Sequence, residues 1–126
     1  MKKTFSTSWK SSKKPRKQRK YGVKAPLHIK GKFLHATLSK ELRKKYGKRS
    51  FRVKKGDKVK IMRGNFRKKE GTIEKVDIKK GVVNISKIET EKKEGSKTPR
   101  PIRPSNTMII ELNIDDKKRK EKLERK

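Results

Sequence analysis

The chain has 126 residues, with 43 Lys+Arg against 13 Asp+Glu and a formal net charge of +30. That length sets one domain with tails, no apolar run reaches the ~20 residues of a membrane helix, and zero Cys excludes disulfides, thiolate metal sites and thiol catalysis, as suits a reducing cytoplasm. A charge excess of this size repels itself unless a polyanion is bound, so nucleic acid is the expected partner.

The charge is uneven. Residues 1–55 hold 21 bases and one acid, Glu41, whereas residues 56–126 hold 22 bases and 12 acids. Of 34 apolar residues, 19 lie between Phe51 and Ile114, so the middle of the chain holds the core.

Residues 1–24 read as a basic arm. Its first 20 positions carry nine bases and no acid, with only Phe5 and Trp9 as large apolar groups. Such a segment buries too little surface to offset its ordering entropy, so it is expected to be disordered when free and to order on binding. Lys13, Lys14, Arg16, Lys17, Arg19 and Lys20 are its candidate phosphate contacts. Trp9, expected to be uncovered in the free protein, either stacks on an unpaired base or docks on a neighbouring protein.

Residues 25–50 read as short helical pieces. Pro26 suits a first helical position, and Leu27, Leu34, Leu38 and Leu42 keep roughly helical spacing. Ser39 is the expected cap of a helix through Tyr46 that Gly47 closes in the left-handed conformation. The opposite face of that helix is basic. Arg43, Lys44, Lys45 and, just beyond it, Arg49 are candidate RNA contacts.

From residue 51 to 114 the period changes to two. Lys58-Val59-Lys60-Ile61 alternates, Gly71-Thr72-Ile73 opens a second strand, and the apolar phase shifts before Val76, which predicts a bulge near Glu74-Lys75. Lys79-Lys80-Gly81 makes a tight turn into Val82-Val83-Asn84-Ile85. Met108, Ile110, Leu112 and Ile114 alternate in a last strand. Residues 88–107 hold little to bury and read as a projecting hairpin turned by Gly95-Ser96, and residues 115–126 as a charged, helical tail with only Leu123 to bury. Short strands with close turns predict a mainly β fold, a small, strongly curved antiparallel barrel.

The loop between the first two of these strands presents Arg63, Asn65, Phe66, Arg67, Lys68 and Lys69. The cations suit phosphates, and Asn65 suits a base edge or 2′-hydroxyl. Phe66 either stacks on a base or packs back on the strands. His28 and His35 lack further ligands at useful spacing, and Asp115-Asp116 reads as a helix start. No P-loop, dinucleotide fingerprint or catalytic triad is present, so neither enzyme activity, cofactor nor metal is expected.

Residues 53–78 resemble the KOW motif. Ala25-Pro26-Leu27-His28-Ile29, Leu38-Ser39-Lys40-Glu41-Leu42-Arg43-Lys44-Lys45-Tyr46, Arg49-Ser50 and Pro104-Ser105-Asn106 resemble the large-subunit ribosomal protein twenty-four family in its archaeal and eukaryotic form, whose eukaryotic members are numbered twenty-six. The likeness covers roughly residues 15–125. It implies an SH3-like KOW barrel that binds large-subunit ribosomal RNA early in assembly, near the peptide exit tunnel, beside other ribosomal proteins. It also implies that Arg63 to Lys69 touch RNA. Many members carry glycine where this chain has Lys68. Neither membrane association nor homo-oligomerisation is expected. A KOW-type transcription elongation factor is the alternative, but residues 1–50 are too short and polar to supply its polymerase-binding domain.

Overall fold

A computed structural model describes residues 4–125. Its strands are β1 (His35–Leu38), β2 (Ser50–Arg52), β3 (Lys58–Ile61), β4 (Glu70–Asp77), β5 (Val82–Ile85), β6 (Glu89–Glu91), β7 (Lys97–Pro99) and β8 (Thr107–Glu111). Its α-helices are α1 (Pro15–Lys24), α2 (Leu27–Lys30), α3 (Lys40–Tyr46) and α4 (Lys117–Glu124). Six strands form one sheet in the order β2-β1-β8-β3-β4-β5, and β6-β7 form a separate ribbon.

The core is built from inward positions of the period-two segments. Val59, Ile61, Ile73, Val83, Ile85 and Ile109 are buried, together with Leu34, Ala36 and Leu38 from the earlier segment. The bulge falls where the change of apolar phase predicted it. Ile73 pairs with Ile85 but Lys75 pairs with Asn84, and the extra residue swings Val76 and Ile78 back against the core. The turn at Lys79–Gly81 is held by the Gly81 amide on the Asp77 carbonyl at 2.9 Å. The Lys80 amide donates to the Asp77 carboxylate at 3.0 Å, and this bond holds that carboxyl below its ordinary value.

Several expectations require correction. The stretch 25–50 is not wholly helical. Residues 35–38 form β1, which pairs antiparallel with β2 and parallel with β8. Leu34 and Leu38 are four apart, a spacing that also places both on the core side of a turn followed by a strand. The sheet therefore is not purely antiparallel, and with β2 and β5 at its ends the described strands form an open sheet. In β8 the inward residues are Thr107 and Ile109, while Met108 and Ile110 are half-buried, so the alternation of apolar residues had the wrong phase. Thr107 turns its hydroxyl to the Pro104 carbonyl at 2.8 Å, which lets a polar group occupy a buried position.

The remaining corrections concern the termini. Residues 15–24 are helical, with Pro15 at the first turn. The Gln18 amide reaches the carbonyls of Trp9, Lys10 and Ser12, and Phe5 stacks on Tyr21 at 5.4 Å between ring centres. Tyr21 in turn meets Phe33 edge-on at 5.9 Å. Trp9 is therefore not an uncovered ring: it is half-buried, edge-on to Phe5 at 6.4 Å. The tail is also anchored from within. Leu123 and Arg119 of α4 are buried, and Arg119 forms a two-pronged ion pair with buried Asp57 at 2.7 and 2.6 Å. Asp116 caps α4 by accepting from the Lys118 amide at 3.0 Å. That bond, ahead of the nearby Lys54 charge, lowers the Asp116 carboxyl below its usual range.

Gly71 marks a close approach. A Cβ there meets Ile85 Cγ2 at 2.6 Å and the Ser86 carbonyl oxygen at 2.7 Å, a backbone atom that cannot step aside. Gly71→Ala is expected to cost about 1–3 kcal/mol, as overpacking does. A urea titration showing no change in midpoint would contradict this.

Candidate nucleic-acid interface

The loop between β3 and β4 is rigid because its own backbone is bonded. The Arg67 amide donates to Gly64 at 3.1 Å, the Lys69 amide to Phe66 at 3.1 Å, and the Lys68 amide to Ile61 at 2.8 Å. Met62 ties the loop base to the Asn106 carbonyl at 2.8 Å. Arg63, Asn65, Arg67, Lys68 and Lys69 are exposed, and none forms an ion pair among the described residues. Phe66 packs against the core, with Lys69 Nζ 5.2 Å from its ring centre. Of the two readings of this ring, packing back is the arrangement observed: Phe66 seats the loop, and the cations around it face solvent.

Lys68 has φ 72°. The loop thus keeps a left-handed residue at the position where a glycine would be at ease, and a lysine bears the steric cost. Lys68→Gly relieves about 1–2 kcal/mol of that cost but restores glycine's unfolded-state freedom. A small net stabilisation, at most about 1 kcal/mol, is the expected result of thermal melts.

In α3, Ser39 Oγ accepts from the Leu42 amide at 3.4 Å and Gly47 closes the helix at φ 65°, both as expected. Lys44, Lys45 and Arg49 are exposed. Arg43 is half-committed, its Nε donating to the Leu38 carbonyl at 2.9 Å. On the arm, Lys13, Lys14, Arg16, Lys17, Arg19 and Lys20 are all exposed. α1 therefore presents an unneutralised cationic surface, with Arg19 lining a cleft shared with Lys30, Lys79, Lys80 and Arg103. Those four partners were missed, because the clustering arises from folding and not from any local run. No group of His and acidic residues able to hold a metal occurs among the described residues.

A backbone-bonded basic loop and a cationic helix on a small β domain make this a small, strongly cationic β protein. Residues 12–126 match the family of ribosomal proteins described as L26 in eukaryotes and L24 in archaea. The chain is 51% identical over 108 residues to large ribosomal subunit protein uL24 of Methanothrix thermoacetophila, covering 86% of this chain and 93% of that one. Against the uL24 of Methanocorpusculum labreanum it is 48% identical, covering 90% and 94%. Against that of Methanospirillum hungatei it is 46% identical, covering 89% and 93%. The chain belongs to this family of eukaryotic L26 and archaeal L24 ribosomal proteins and is a structural, non-enzymatic protein.

Proposed function

We propose that the protein is a constituent of the large ribosomal subunit in the cytoplasm and binds large-subunit ribosomal RNA through three cationic surfaces. These are the loop Arg63 to Lys69, the exposed bases of α3 with Arg49, and the arm with α1. The observation that carries this reading is the β3–β4 loop, a backbone-bonded turn whose polar and cationic side chains carry no ion pair among the described residues. A rigid cationic loop loses little entropy on meeting phosphates, and its contacts set register on the RNA. Asn65 reads a base edge or 2′-hydroxyl, and Phe66 acts from below by holding the loop.

The names of the relatives support placement in the large subunit, and the resemblance of the family blocks supports early assembly near the exit tunnel beside neighbouring ribosomal proteins. The SH3-like KOW reading of this β domain draws support from the bulge at Ile73–Lys75 and from the Val83–Ile102 bridge, which extends the pairing of β5 beyond the sheet. Sedimenting a lysate in moderate salt is expected to carry the protein with large-subunit particles. Footprinting on purified large-subunit RNA is expected to protect one compact region. A protein that stayed at the top of the gradient would defeat the reading.

A further inference from the structure

A cleft of about 1050 Å³ opens between α2, β2, the bulged part of β4 and α4. Its lining includes Lys32, Arg52, Lys55, Lys75, Lys118 and Lys122, all exposed and without an ion-pair partner among the described residues. Among the described residues two acids line it, Glu74 and Asp116, and Asp116 is already engaged by Lys54 at 3.6 Å. Apolar groups share the same wall: Phe51, Val53, Val76 and Ile78.

The combination decides what fits. A duplex meets a protein through its backbone, for which cations on a convex surface suffice; its bases are stacked away from a concavity. Here the cations surround a hollow of a size that encloses a small ligand, and phosphates have no use for its apolar wall. Unpaired bases do, because stacking and apolar contact are how single strands are held beside a cationic groove. The His35 imidazole lies in the same lining, and partial desolvation, then the charge of Arg52, hold it below its ordinary value. Both effects favour the uncharged imidazole, a flat ring beside the cations. The cleft is also preorganised. Arg119 is turned onto Asp57, which fixes α4 as one wall without any ligand.

We propose that this cleft binds one or two unpaired nucleotides of single-stranded RNA, with bases against Val76 and Ile78 and phosphates on the surrounding lysines. This rests on the reading that RNA is the partner, and adds to it a single-strand-selective site separate from the β3–β4 loop.

The test uses the full chain with a short oligouridylate carrying 4-thiouridine, and an RNA duplex of equal length as competitor. Photo-crosslinks are expected on peptides covering residues 51–55, 74–78 or 116–122, with the duplex competing poorly. Lys55→Glu combined with Lys75→Glu, both at exposed positions, is expected to weaken oligouridylate binding about tenfold or more and to lower its salt slope by about 1 for each phosphate no longer neutralised. Arg67→Glu with Lys69→Glu is expected to leave that binding within about twofold while weakening large-subunit RNA. Crosslinks confined to residues 63–69 or to the arm overturn the proposal, as does an equal effect of both variants. Binding of whole large-subunit RNA to the unaltered chain separates the two failures. If that binding is absent, the ribosomal RNA reading falls and this one with it; if it is present while oligouridylate ignores the cleft, only the cleft assignment falls.

Discussion

Asp57→Ala is expected to cost about 3–5 kcal/mol, the usual loss when one partner of a buried ion pair is removed. The Asp57 side chain is fully buried and accepts four hydrogen bonds, one from nearby Lys54 and three from the distant C-terminal residues Asn113 and Arg119. Oδ2 takes the Lys54 amide at 2.8 Å and one Arg119 nitrogen at 2.6 Å, while Oδ1 takes the Asn113 amide at 2.9 Å and the other Arg119 nitrogen at 2.7 Å. Arg119 is satisfied in turn by the carbonyls of Asn113 at 2.6 Å and Arg52 at 3.1 Å, and lies over the Phe51 ring at 5.4 Å. Deleting the carboxylate strands a guanidinium in a place built to exclude water, and frees the turn before β3 as well as the C-terminal helix. Since small domains hold about 5–15 kcal/mol in all, this change removes a large share of the stability.

The companion variant tests the mechanism. Arg119→Met leaves Asp57 with both backbone donors, so it is expected to cost less than Asp57→Ala while loosening α4 more than the sheet. Amide exchange along α4 distinguishes this from a general loss of packing. If both variants melted within about 0.5 kcal/mol of the unaltered chain, as neutral surface changes do, the clamp would have no role in stability.

This clamp also shows what the linear chain conceals. Asp57 stands in a Gly-Asp turn and Arg119 in a run of lysines, and each is locally unremarked. Only folding brings together two residues 62 positions apart. Features set by nearest neighbours were legible: the Ser39 cap, the Gly47 stop, the phase slip before Val76, and the turns at Gly81 and Gly95. The 88–107 hairpin was legible for the same reason, with Glu89–Glu91 and Lys97–Pro99 pairing across it. Residues 35–38 were not, because so short a stretch satisfies either period and the partner strands β2 and β8 decide between them. β8 misled because Met108, Ile109 and Ile110 are all apolar, so the run alone does not say which face is buried; the register with β3 does, placing Ile109 opposite Val59. Candidate contacts read from charge runs lie where a ligand can reach them. Those lining the α4 cleft come from separate segments, and no run announces them.

Removing residues 1–20 is expected to change RNA binding far more than folding. The segment holds nine bases and no acid, yet none of the buried core residues lies within its described part. The Gln18 bonds and the Trp9–Phe5 contact are internal to it, and its aromatic contact with the rest of the chain is the Phe5–Tyr21 stack, a pair of the kind that contributes about 0.5–1.5 kcal/mol. Each phosphate neutralised contributes about 0.7–0.9 to the log–log salt slope, so removing about six such charges flattens the slope by about 4–5 units and lowers affinity at moderate salt on the order of a thousandfold. The order already present in the arm sharpens the test. Gln18→Ala removes the amide that gathers Trp9, Lys10 and Ser12 but keeps every charge. If the arm acts as a shaped surface, this variant keeps the slope and loses affinity, because the ordering cost then falls on binding. Were the arm only a reservoir of charge, Gln18→Ala would bind like the unaltered chain. Were it idle, the truncated protein would hold large-subunit RNA as tightly as the full one at moderate salt.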